Sequence, residues 1–211
     1  MSGSLRDDLI AFLADPKTFM ASNVVIPPGP PSNQTIKGTG SGIFQFAFDK
    51  SGVVASKGGG TCPIYRIDKP DAYNTSKPRF MAYYCHYDSD HTFDLVVDNK
   101  MDLMLTPKMD GCSFGVGSET DTGARLVVHS NVSRTASSRE GIVKQGTDQA
   151  QKINEIITDP TKIFGPGDYL DNNIKGTTVG FRAGGHWSFF MQRWKFMSPS
   201  TYIWEGITDI A

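Results

Sequence analysis

A thiol and an imidazole that can meet are enough for nucleophilic acyl chemistry: the thiolate attacks, and the imidazole accepts and later returns a proton. Cys112 and His129 are the candidate pair in this sequence. Cys112 closes the run Leu105-Thr106-Pro107-Lys108-Met109-Asp110-Gly111-Cys112, which reads as a strand followed by a tight turn through Gly111. Directly after a glycine the backbone can turn sharply and present both the sulfur and its own N–H. His129 ends a second apolar run, Leu126-Val127-Val128, and the polar stretch from Gly117 to Gly123 separates the two runs. The pattern predicts a hairpin that brings Cys112 and His129 together at its open end, where the imidazole could lower the thiol pKa. An inert buried thiol is the ordinary reading of any single cysteine. Cys62 and Cys85 fit that reading, Cys85 as a mid-strand residue between Tyr84 and His86.

Other chemistry-bearing stretches read better as structure. His86, Asp88, Asp90 and His91 are residue types that ligate metals, but Tyr87-Asp88-Ser89-Asp90-His91 has the composition of a solvated hairpin tip and no second ligand group accompanies it. Lys57-Gly58-Gly59-Gly60 lacks the GK[ST] ending of a phosphate loop and reads as a mobile loop. His186, flanked by Gly184-Gly185 and Trp187, reads as the polar start of a strand. Asn33, Asn74 and Asn131 each begin a glycosylation-acceptor triplet, expected as chance matches. No metal or organic cofactor is called for.

The elements that would position the pair are mostly strands. Leu5, Leu9, Ile10, Phe12 and Leu13 have helical spacing after a possible Ser4 cap, and Asp15-Pro16 ends that helix and begins a shorter one. The proline-rich stretch Ile26–Asn33 reads as a stiff surface connector. Strands are expected at 43–48, 53–55 (after a turn at Asp49-Lys50-Ser51-Gly52), 61–67, 79–87, 92–97, 101–106, the Cys112 run, 124–130, 177–182, 186–196 and 201–205. A second long helix, capped by Ser137 or Ser138, covers 139–157 with Ile142, Ile153, Ile156 and Ile157 facing the core. Gly, Pro and Asp mark a loop from Phe164 to Lys175. Without a βαβ rhythm, the expectation is an α+β protein: a mixed, β-sandwich-like core of about ten short strands flanked by helices and long loops.

The chain has 211 residues, 38% hydrophobic and 20% charged, enough for one substantial core. No linker divides it, so a single domain over 1–211 is expected. A net charge of −1 gives no reason to expect nucleic acid or an anionic membrane as partner. No apolar run approaches the roughly 20 residues of a membrane span, and Met1–Asp8 lacks the apolar segment of a conventional signal peptide. Three cysteines without a CxxC pair favour a reducing compartment.

The Leu-Thr-Pro-Lys-Met-Asp-Gly-Cys-Ser-Phe run with its downstream Val-Val-His resembles the catalytic region of the Burkholderia lethal factor 1-like glutamine deamidase toxins, in the superfamily of the cytotoxic necrotizing factor catalytic domain. That family's Leu-Ser-Gly-Cys marker reads Met109-Asp110-Gly111-Cys112 here, so only the Gly-Cys half is kept. His129 follows Cys112 by 17 residues, a longer loop than the family's. The resemblance implies a catalytic set of Cys112, His129 and Thr106, Thr106 orienting the His129 ring through its hydroxyl or carbonyl. It implies a toxin and virulence hydrolase that turns a host glutamine into glutamate and arrests host translation. The partner would be a host protein substrate, the DEAD-box helicase of translation initiation. The toxin would act as a monomer, made in the bacterial cytoplasm and active in the host cell's. An oxyanion donor is expected in the backbone near Gly111–Ser113, and Asp110 could raise the thiol pKa. Two alternatives remain open from the residues themselves. The same pair serves a transglutaminase or cysteine protease, and the chain could instead be a non-enzymatic β-rich binding module.

Overall fold

The computed structural model describes residues 4–28, 41–70, 76–132, 138–169, 174–198 and 201–211. The prolines of 29–33, the acceptor triplets at Asn33 and Asn74 and the candidate cap Ser137 lie outside them.

The elements in chain order are α1 (Leu5–Ala14), α2 (Pro16–Ser22), β1 (Val24–Ile26), β2 (Gly42–Ser56), β3 (Thr61–Asp68), β4 (Arg79–Tyr84), β5 (Thr92–Val97), β6 (Leu103–Met109), β7 (Ser113–Glu119), β8 (Arg125–Ser130), α3 (Arg139–Ile156), β9 (Lys162–Phe164), α4 (Pro166–Tyr169), β10 (Ile174–Ala183), β11 (His186–Ser198) and β12 (Thr201–Asp209). The protein is α+β, as its strand-rich pattern predicts. Among the described residues the strands number twelve, and several are long, against an expectation of about ten short ones. The three-residue strands β1 and β9 lie where no strand is expected, whereas β2 joins two expected strands into one long one. Asp49-Lys50-Ser51-Gly52 has turn composition, yet it forms a β-bulge within one 15-residue strand. Gly52, at φ 147°, supplies the backbone freedom that bends the strand without ending it.

The large sheet has the order β1-β3-β2-β12-β11-β10-β6-β4, and β4 also pairs antiparallel with β2, so the order runs back on itself. The small sheet has the order β5-β8-β7-β9. Alternating residues of the large sheet feed two cores. Tyr84, Leu105 and Phe190 join Leu9, Phe12 and Met20 of the first two helices, whereas Tyr83, Met104, Phe189 and Met191 face Cys112, Phe114, Val116 and Val127 of the small sheet. This two-sided burial explains why β4, β6 and β11 read as nearly continuous apolar runs rather than alternating ones. On the far side of the small sheet, Ile153 of α3 and its C-cap residue Ile157 pack on Val128. The strands β2-β12-β11-β10-β6-β4 thus close on themselves, with the small sheet packed against one outer side and α3 beyond it. A Cβ on Gly115 would stand 2.4 Å from Ile153 Cγ2, so only glycine lets α3 approach β7 this closely.

The helices begin where side chains satisfy their first N–H groups. Ser4 and Asp7 form a capping box on α1, Asp15 caps α2 with Pro16 in its first turn, and Ser138 caps α3 by accepting from Gly141 N–H.

Candidate active site

The predicted hairpin forms: β7 and β8 pair antiparallel, with Ser113 opposite Ser130 and Phe114 opposite His129. Cys112 and Asn131 therefore flank that pairing at the hairpin's open end. Residues 112, 114, 129 and 131 share one face by the two-residue period of strands, and this face lies against the large sheet. Cys112 and His129 are diagonal neighbours on it, a placement with Cα atoms roughly 7–8 Å apart in antiparallel pairs. Both are 1% exposed.

The turn that carries Cys112 is held from several sides. Gly111 has φ 101°, in the left-handed region. Its N–H donates to Tyr169 Oη at 2.9 Å, and the Tyr169 hydroxyl donates to the Cys112 carbonyl at 2.7 Å. The Gly111 carbonyl accepts from Gln145 Nε2 at 2.5 Å and Gln149 Nε2 at 2.9 Å. Gln149 Nε2 also donates to the Val132 carbonyl at 3.0 Å, and its Oε1 accepts from Ser113 Oγ at 2.7 Å. All of these side chains are buried, where each bond is strengthened by the low local dielectric. One expectation changes: the Gly111 N–H is committed to Tyr169 and so is not an oxyanion donor.

The Cys112 thiol donates to Asn131 Oδ1 at 3.4 Å, and Asn131 Nδ2 donates to the Asp88 carbonyl at 3.4 Å. The Asn131 backbone is bonded at both ends to the same stretch: its N–H to the His91 carbonyl at 3.0 Å, and its carbonyl to Asp90 N–H at 3.2 Å. Asn131 is 1% exposed, so the acceptor triplet it begins has no accessible asparagine in this fold. The stretch from His86 to His91 is more than a solvated hairpin tip. His86 is 4% exposed, its ring lies edge-on to Phe93 at 4.7 Å, and Asp88 and Asp90 bond Asn131 through their backbones. Among the described residues no group of three His, Cys, Asp or Glu side chains converges as a metal site.

His129 lies beside Tyr87, ring centroids 5.7 Å apart, and neither ring nitrogen finds a hydrogen-bond partner among the described residues. Burial lowers its pKa to about 4, with His86 adding to the drop; the nearby backbone of Cys85 and His86 opposes it without making a hydrogen bond of ordinary geometry. The ring is thus neutral at pH 7. Burial also lowers His86.

Thr106 is fully buried on β6, but its hydroxyl is used by β10. It donates toward the Pro107 carbonyl at 3.0 Å and the Thr178 carbonyl at 3.3 Å, and accepts from Thr178 N–H at 3.2 Å. These bonds sit where the β6–β10 register shifts. The hydroxyl therefore secures the strand beneath the turn and makes no bond to His129, contrary to the role expected of it. Asp110 does not stand as a lone charge before Cys112, because Lys175 pairs with it.

The remaining candidates lie elsewhere. Cys62 is buried, and desolvation raises its thiol. Cys85 follows β4 instead of lying within it, and burial pushes its thiol up to about 12. His186 Nδ1 pairs with Glu119 at 2.6 Å on the exposed start of β11. The sequence reading missed Asn131, Gln145, Gln149 and Tyr169. A signal for the glutamines existed: Gln145, Gln149 and Ile153 follow one another at four-residue spacing, one stripe of α3.

No protein-family model matches the chain, and a search of curated proteins returns no match. Among the described residues, no helix is long and apolar enough to cross a membrane.

Proposed function

We propose that this protein is a thiol-dependent protein-glutamine deamidase in which Cys112 is the nucleophile and His129 the proton carrier. One observation carries the reading: a cysteine on a clamped glycine turn shares a buried sheet face with an imidazole whose two nitrogens have no hydrogen-bond partner among the described residues. A neutral imidazole that no other side chain hydrogen-bonds among the described residues can accept a proton from a thiol on the same face and return it.

In the reaction, His129 takes the Cys112 proton and the thiolate attacks the side-chain amide carbon of a glutamine. The C–N bond of the tetrahedral intermediate breaks as the imidazolium protonates the departing ammonia. Water, deprotonated by His129, then cleaves the thioester, releasing glutamate and restoring the thiol. Both groups are 1% exposed, so substrate must displace their cover; admitting an amide and a water relieves the desolvation that keeps His129 a weak base. The resemblance to the lethal factor 1-like toxins supports a host protein target, the DEAD-box helicase of translation initiation, and a toxin that arrests translation. Thr106 enters as a supporting residue of the β6 strand.

The test is mass spectrometry of a eukaryotic lysate treated with wild type or Cys112→Ser. The expected outcome is conversion of one glutamine to glutamate, with ammonia released by the wild type alone. Equal conversion by the serine variant would overturn the mechanism. The same thiol and imidazole would also serve a thiol protease or a transglutaminase; cleavage fragments, or amine incorporation when an amine is added, would identify either one.

A further inference from the structure

The hydrogen bonds around Asn131 have a direction. A backbone carbonyl can only accept, so the Asp88 carbonyl fixes which end of the Asn131 amide faces it: the nitrogen. The amide oxygen is thereby turned to Cys112, where it can only accept the thiol proton. An acceptor in that place stabilises S–H and would be repelled by a thiolate. Across the same sheet face, His129 stands with both nitrogens unpartnered among the described residues. The structure thus holds the thiol bonded to a group that cannot take its proton, while the group that could is left without a hydrogen bond.

We propose that Asn131 is a positioning residue that keeps Cys112 in a resting thiol form, with the Asp88 carbonyl setting the orientation of its amide. Asn131 is in turn tied by its own backbone to His91 and Asp90, so the stretch from Asp88 to His91 controls the hold. When that stretch shifts, the Asp88 constraint is lost and the amide is free to rotate. The nitrogen can then face the sulfur, a donor that favours thiolate, while the proton passes to His129. Asp90, a non-glycine residue at φ 59°, gives this stretch a strained conformation to relax from. The proposal concerns regulation of the site described above and rests on Cys112 being its nucleophile.

The test measures iodoacetamide labelling of Cys112 at fixed pH in the full chain, with Cys62 and Cys85 as internal reporters of general loosening. Asn131→Ala removes the acceptor and should speed Cys112 labelling about fivefold, the equivalent of one neutral hydrogen bond. Asn131→Asp keeps an oxygen against the thiol and adds negative charge, and should slow labelling below wild type. A purely structural Asn131 would move both variants the same way, with Cys85 labelling rising in parallel; that result overturns the proposal. Labelling needs no substrate, so the two ideas separate. Opposite shifts without any deamidation would leave the hold standing and remove the enzyme. Cys112-dependent deamidation with parallel shifts would do the reverse.

Discussion

Cys85 and Cys112 belong to the same apolar core, and both are at most 1% exposed. Burial therefore does not distinguish them. Cys85 has a long contact from its sulfur to the Phe93 carbonyl, 3.9 Å, and a thiol pushed up to about 12 by desolvation. The residues around Cys112 supply a left-handed glycine, two glutamines, a tyrosine and an asparagine, each hydrogen-bonded to the turn, to the start of its strand or to the thiol. A structural cysteine needs only a hole of the right size. A reacting one needs its backbone fixed and a proton route beside it, and polar groups brought in from α3 and α4 do the fixing.

The largest expected effect separates the two environments directly. Gln149→Leu strips partners from Ser113 Oγ and the Val132 carbonyl and one of two from Gly111, and should lower stability by about 2–4 kcal/mol in a denaturant titration. Cys85→Val, which nearly keeps the volume and loses only weak sulfur contacts to the Phe93 carbonyl and Ser41, should stay within about 1.5 kcal/mol. Equal losses would mean that the Cys112 turn is no more constrained than its neighbour.

The next effect is one of pH. Because His129 titrates below its ordinary value in the folded chain, the unfolded chain takes up the proton first as pH falls. The stability tied to the neutral ring is complete above about 6.5 and is lost as pH drops toward about 4. Its size is up to about 3 kcal/mol by the free energy of the pKa shift, and His86, shifted the same way, adds to it. Denaturant midpoints between these pH values should fall steeply for wild type and less for His129→Phe. A slope unchanged by that substitution would mean that His129 is not the buried neutral group.

The smallest effect concerns the charges nearest the turn. Lys175→Met breaks a partly exposed pair with Asp110 and should change stability by less than about 1 kcal/mol. Cys112 labelling should remain close to wild type, because the hydrogen bonds of the turn are retained. A large change would shift the weight from those bonds to electrostatics.

Much of this was legible in the sequence. The β7–β8 hairpin was, because two apolar runs around a polar loop have few other ways to pair. The bulge in β2 was not: Asp49-Lys50-Ser51-Gly52 has the composition of a turn, and only pairing with β3 shows that the strand continues. The inner stripe of α3 was half missed because hydrophobicity ranks Ile156 above Gln149, yet Ile156 is 38% exposed and Gln149 fully buried. Tyr169 was hidden in a glycine- and proline-rich stretch that reads as loop, 58 residues from the Gly111 N–H it receives. Bonds over such separations leave no local pattern. Asn131 was visible only as a sequence triplet, and its role appears once Asp88 and Cys112 are seen on either side of it.

The return of β4 to β2 has a consequence for synthesis. The strands that stand between β6 and β2 in the large sheet, β10 to β12, are the last in the chain. A nascent chain that has emerged as far as Asn131 already carries Cys112, His129 and Asn131, but lacks the glutamines and tyrosine that fix the turn and the strand that bonds Thr106. The proposed nucleophile is thus made long before the platform beneath it, and closure waits on pairings between distant parts of the chain, the slow class of folding event. Until those later elements dock, Asn131 holds the thiol while the turn that carries it has no clamp.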